Sequence, residues 1–106
     1  MTDFFTGVPF SGIEKHIPSL GVIATREDEA IGLAVGAWFA GKTPLVYMQN
    51  SGLGNCADII TSLLKPYDID IDLLIDNRIE PEHHKIMGKN INELMTVLEY
   101  ESFRLC

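Results

Sequence analysis

Apolar and polar positions divide this chain into short strands separated by helical stretches. Asp3 to Pro9 reads as a short strand ending in a Gly/Pro turn, Ser11 to Ile17 as a short helix, and Gly21 to Thr25 as a second strand. From Glu27 to Ala40 the period changes: Ala30, Leu33, Ala34, Ala37 and Trp38 recur at helical spacing, and Gly41 supplies a stop. Pro44 to Gln49 is a continuous apolar run of the kind buried on both faces of a sheet. Ser51 to Gly54 forms a turn, and Asn55 to Lys65 reads as the helix after it. Ile69 to Ile75 alternates apolar residues with Asp before closing on Leu-Leu-Ile, which predicts a further strand. The Glu-, Pro- and His-rich segment beyond it reads as a loop. Asn90 or Asn92 then caps a helix over Glu93 to Leu98, and a last strand lies within Tyr100 to Leu105.

Strands and helices alternating at this spacing predict one α/β domain over residues 1–106, a three-layer α/β/α arrangement with a mainly parallel sheet. Function in such sheets gathers at the carboxyl ends of the strands. A helix usually precedes the first strand of such a domain. This chain starts almost on the strand, so one sheet face is expected to lack that helix or to be covered by another chain.

Composition narrows the partners. The net charge is −7 with only eight basic residues, scattered along the chain. That excludes the basic patch a nucleic acid or an anionic membrane requires. No apolar run is long enough to span a bilayer and no signal-like segment opens the chain. The cysteines, Cys56 and Cys106, make a poor disulfide framework, so a reducing cytoplasmic setting is expected.

Two motifs carry candidate chemistry. Glu27, Asp28 and Glu29 open the long helix after Thr25 and Arg26. They can simply oppose the helix dipole, with Thr25 as N-cap, or one of them can serve a site as a semi-buried carboxyl. Gly32, Gly36 and Ala40 form a small-residue stripe along that helix. Each helical glycine costs about 1 kcal/mol relative to Ala, which implies close packing by the sheet or by another subunit. The second motif, Ser51-Gly52-Leu53-Gly54-Asn55-Cys56-Ala57, contains G-x-G-x-x-A between a strand and a helix, and Asp76 lies roughly twenty residues on. A dinucleotide site and a plain tight turn both explain it. His83-His84 with Glu80 and Glu82 reads as a solvated segment rather than a metal site, since adjacent histidines are expected to point apart.

Together the motifs are more specific. Glu27, Ala30, Ala34 and Gly36 resemble the pyrimidine-domain helix of thiamine-diphosphate decarboxylases. Val46 to Asn55, the opening Phe4-Phe5-Thr6-Gly7-Val8-Pro9 and the later Glu80-Pro81-Glu82-His83 resemble the sulfopyruvate and phosphonopyruvate decarboxylase branch. The resemblance implies a thiamine-diphosphate-binding fold of the pyrimidine type. It implies Glu27 as the activating glutamate, which also binds the cofactor with Asn50, Ser51 and Gly52. It implies Arg26, Arg78 and His83 as contacts to a small anionic 2-oxoacid, which loses CO₂ to give the aldehyde. Such enzymes hold the diphosphate and Mg²⁺ through a Gly-Asp-Gly motif that this sequence lacks. A separate pyrophosphate-binding (beta) subunit is therefore expected to complete the site in a hetero-oligomer. The alternatives are a diverged, non-catalytic interaction subunit and a Rossmann-like dinucleotide binder.

Overall fold

The computed structural model describes all 106 residues. Five strands, β1 (Phe4–Gly7), β2 (Val22–Ile23), β3 (Pro44–Gln49), β4 (Asp72–Asp76) and β5 (Phe103–Leu105), form one sheet in the order β2-β1-β3-β4-β5. Every neighbouring pair is parallel. The helices are α1 (Glu27–Phe39), α2 (Ala57–Ile59) and α3 (Glu82–Val97). A 3₁₀ stretch, Asn50–Cys56, runs into α2, and a π-helical stretch, Ile60–Leu64, continues from it. The parallel α/β class is therefore as expected.

The handedness of parallel crossovers decides where the helices lie. From β2 through β3 and β4 to β5 the chain steps one way across the sheet, so α1, α2 and α3 share one face. Their apolar sides meet Val46, Met48, Leu73 and Ile75 in the larger core, with Ala30, Ile31, Leu53, Ile60, Ile91 and Met95 among its members. The step from β1 to β2 runs the other way and places its connection on the opposite face. There a single 3₁₀ turn, Ile13–Lys15, covers a smaller core of Phe10, Ile13, Ile17, Leu45, Tyr47 and Leu74. The layers are thus unequal.

Most boundaries follow the apolar pattern. α1 ends where Gly41, at φ 87°, closes the helix, and Lys42 N–H donates to Ala37 O at 3.0 Å. Two expectations change. The glycine turn at Ser51 to Gly54 is itself wound as 3₁₀ helix. The segment read as a loop with a helix from Glu93 is a 16-residue helix beginning at Glu82. Pro81 precedes it and Glu82 opens its first turn, both favourable at a helix start. His84, Met87, Ile91, Leu94, Met95 and Leu98 then turn one side inward. Gly88 interrupts that side for a steric reason: a Cβ there would lie 2.2 Å from Arg78 O.

The stripe on α1 also differs from one expectation. The side packed on the sheet is Ala30, Ile31, Ala34, Val35 and Ala37. Gly32 and Gly36 are exposed, and a Cβ added to either would meet nothing within 4 Å. Packing against the sheet does not explain these glycines. No helix is long and apolar enough to cross a membrane.

Candidate active site

The strand order reverses between β1 and β3: the chain leaves β1 towards one edge of the sheet and leaves β3 towards the other. At such a switch point the two exits diverge and open a crevice at the carboxyl ends. The turn Asn50–Cys56 leaves β3 at that crevice, with α1 packed on one flank and α3 on the other.

The three acids at the start of α1 have separate tasks. Glu29 Oε1 accepts from the Thr25 amide at 2.6 Å and from its hydroxyl at 3.0 Å, and the amide bond holds its carboxyl below the usual range. Asp28 Oδ1 accepts from Arg26 Nε at 3.1 Å and from the Glu29 amide at 3.0 Å, and the Arg26 bond lowers its pKa. Thr25 is not the N-cap expected of it. Arg26 holds that position with no side-chain cap, and Glu29 reaches back instead. Glu27 is the acid that neither Thr25 nor Arg26 engages. Its half-buried carboxylate lies across Gly52, where an added Cβ would sit 2.2 Å from Glu27 Cδ. One hydrogen bond reaches it, from Asn55 Nδ2 to Oε1 at 3.2 Å. Gly52 therefore has to be glycine for the carboxylate to rest on the turn.

Asn50 begins the turn and is fully buried. Its Nδ2 donates to Arg78 O at 2.7 Å and to His84 O at 3.2 Å, tying the end of β3 to the exit of β4 and to α3. Ser51 is exposed beside it. Arg78 is half-buried. Its Nε donates to Asp76 Oδ2 at 2.6 Å and its Nη2 to Ser11 O at 3.3 Å, so its guanidinium spans the switch point. Arg26 sits on the α1 flank, largely exposed and paired with Asp28.

The two histidines differ in burial. His83 is exposed, whereas His84 is only 2% exposed. The rings do not point apart: their centroids are 3.9 Å from each other at a tilt of 42°. Burial, reinforced by His83 and Arg78, lowers the pKa of His84. The sequence places His84 in a solvated segment because that segment reads locally as loop. The helical spacing of His84, Met87 and Ile91 was the available signal. Cys56, also in the turn, is fully buried, and its thiol pKa is pushed up to about 12 by that burial and then by the Glu27 charge.

A parallel α/β chain with a carboxylate laid on a glycine turn at its switch point defines the class; similarity defines the family. No family model matches the chain. It is 35% identical over 113 residues to sulfopyruvate decarboxylase subunit alpha of Methanocaldococcus jannaschii, covering 96% of this chain and 67% of that protein. With the same-named subunit of Methanothermobacter thermautotrophicus it shares 39% over 88 residues, 79% of this chain and 50% of that one. Phosphonopyruvate decarboxylase of Streptomyces viridochromogenes is 36% identical over 83 residues, 73% of this chain and 21% of that protein. The chain belongs to the sulfopyruvate decarboxylase alpha-subunit family, and it spans from half to two thirds of the length of those two alpha subunits.

Proposed function

We propose that this chain is the pyrimidine-binding subunit of a thiamine-diphosphate-dependent decarboxylase for a small, doubly or triply anionic 2-oxoacid, sulfopyruvate or phosphonopyruvate. The Glu27 carboxylate on Gly52 carries this reading. It stands at the switch point with a single hydrogen bond from Asn55, beside a turn with no side chain at Gly52. That arrangement fits the aminopyrimidine end of the cofactor, which needs a carboxyl at N1′ and a close approach to backbone.

When bound, thiamine diphosphate supplies the electron sink for the bond broken as CO₂ leaves. Glu27 holds the proton shared with N1′, and Asn55 orients its carboxylate. Asn50, Ser51 and Gly52 shape the wall beside the ring. Arg78, fixed between Asp76 and Ser11, supplies positive charge for the anionic end of the substrate, with the more exposed Arg26 and His83 as further candidate contacts. The diphosphate and Mg²⁺ fall to a second, pyrophosphate-binding chain, because no Gly-Asp-Gly occurs here. The exposed outer face of α1, with Gly32 and Gly36, suits close approach by that chain. The names of the alpha-subunit relatives favour the same division.

The dinucleotide alternative is disfavoured by charge. The space over Gly52 that a pyrophosphate would use is filled by the Glu27 carboxylate.

The test is CO₂ release from both 2-oxoacids by this chain co-purified with its pyrophosphate-binding partner, thiamine diphosphate and Mg²⁺. The expected result is turnover that needs both chains and the cofactor. Turnover by either chain alone, or none from a stable loaded complex, would refute the proposal.

A further inference from the structure

Buried polar atoms in folded proteins nearly always have a partner. Three side-chain atoms here do not: Asn50 Oδ1, Asn77 Oδ1 and His84 Nδ1. All three belong to one region, the exit of β3, the exit of β4 and the first turn of α3. Both amides are anchored on α3. Asn50 Nδ2 donates to the backbone carbonyl of His84, and Asn77 Nδ2 donates to Gly88 O at 3.2 Å, one helical turn further on.

Those anchors fix the amides. Turning either over would set its oxygen against a carbonyl and lose the existing bonds. Both Oδ1 atoms are therefore acceptors in want of a donor. Burial, with Arg78 and His83 alongside, keeps His84 uncharged, and Asp76 is the one neighbour that opposes this. An uncharged imidazole has one N–H, and the enclosed nitrogen is Nδ1. Two acceptors and one N–H are the complement of a single water. It gives two hydrogens to the amide oxygens and takes the third bond on its own oxygen, the usual coordination of a buried water.

We infer that Asn50, Asn77 and His84 enclose one water, which fixes His84 as the Nδ1–H tautomer and leaves Nε2 as a hydrogen-bond acceptor at the site. His84 is then no anion contact. Through Nε2 it receives a donor group of a ligand, a hydroxyl or an amine, while the anionic end of the substrate is left to Arg78 and the exposed residues beside it. Asn77 acts only through His84 and is a positioning residue. None of this rests on thiamine chemistry.

Ring ¹⁵N spectra of the full chain at pH 7.5 test it directly, with signals assigned from single His-to-Gln variants. The expected result is His84 neutral with its proton on Nδ1, the opposite of the tautomer that prevails in a free histidine, and a cross-peak between that proton and a long-lived water. Asn77→Ala should return the ring towards Nε2–H. An Nε2–H tautomer or an imidazolium in the wild-type chain overturns the inference, as does a direct ring-to-amide bond without the water signal. If Asn77→Ala does not fold, the wild-type spectrum alone decides. Failure to decarboxylate any 2-oxoacid would remove the functional proposal and leave these signals where they are, so the two failures are distinguishable.

Discussion

The two ends of the sheet differ in a way that cleft size does not reveal. The larger cleft, about 820 Å³, opens at the amino end between Leu64, Asp70, Met95, Tyr100 and Phe103. Its buried polar groups answer one another. The Tyr100 hydroxyl receives the Ile71 N–H at 2.8 Å and donates to Ile71 O, and Ser102 donates to Asp70. The carboxyl end holds all three unpartnered buried side-chain atoms and a carboxylate with a single hydrogen bond. Its glycines are there to admit other groups: Gly52 admits Glu27, and Gly88 admits Arg78 O. Satisfied polar groups mark the amino end as structure. On our reading the carboxyl end still needs a water for its three buried atoms, and its Glu27 carboxylate is left with one hydrogen bond for a ligand to complete.

The sharpest way to break this comparison is Glu27→Gln. The substitution keeps the shape and the contact with Gly52 but removes the acid. In the loaded complex kcat is expected to fall by about a thousandfold, within the range for losing a positioned proton-transfer group. Assembly with the partner subunit should be unchanged by size-exclusion chromatography. Retention of more than a tenth of the wild-type rate would show that the carboxylate is not the working acid.

Gly52→Ala comes next. The new Cβ would fall 2.2 Å from Glu27 Cδ, so the carboxylate must leave the turn. A displacement near 1 Å in a catalytic group costs on the order of a hundredfold. The loss should appear in kcat measured with saturating cofactor, whereas thermal unfolding should move little, because Gly52 does not occupy a left-handed conformation.

Tyr100→Phe probes the other end. Removing the hydroxyl leaves the buried Ile71 N–H without its acceptor, at a cost of about 1–3 kcal/mol. Urea unfolding should show that loss, while kcat per folded complex stays within twofold of wild type. A catalytic defect larger than the stability defect would place chemistry at the amino end and reverse the comparison.

How much of this was legible in the sequence depends on whether the signal was local. β3 runs from Pro44 to Gln49 as its apolar pattern indicates, and α1 ends before Gly41 because one residue controls that stop. Glu27 was visible as one of three adjacent acids. What separates it from Asp28 and Glu29 is how each side chain is satisfied, by Arg26 in one case and Thr25 in another, and spacing does not encode this. The first half of α3 was missed because Pro81, His83 and Gly88 look like loop residues locally, yet Gly88 is there for Arg78, a contact made across the fold. His84 was hidden for the same reason: its burial depends on a helix that only the β4 exit makes room for.

Acid sensitivity gives a smaller effect on the carboxyl end. His84 is protonated less readily in the folded chain than in the unfolded one. As pH falls through the ordinary imidazole range the unfolded chain takes up the proton first, so the stability tied to neutral His84 is present above that range and lost below it. In His84→Gln the slope of stability against pH between about 7 and 5 should flatten, as measured by urea midpoints at each pH. An unchanged slope would assign the acid sensitivity elsewhere.

The smallest expected effect belongs to Cys56, the one thiol in the turn. A thiol reacts as its thiolate, and with a pKa of about 12 the folded chain holds almost none of it at pH 8. Burial raises Cys106 as well, but that residue is only partly covered at the end of the chain. A thiol reagent at pH 8 should therefore label Cys106 first and reach Cys56 only as the chain unfolds. Cys56→Ala should leave kcat within twofold, since Cys56 contributes a weak contact to Gly52 O at 3.7 Å and otherwise packs in the core. Rapid native labelling of Cys56 with loss of turnover would mean that the turn opens to solvent, and the carboxyl end would then have to be described as mobile rather than merely unsatisfied.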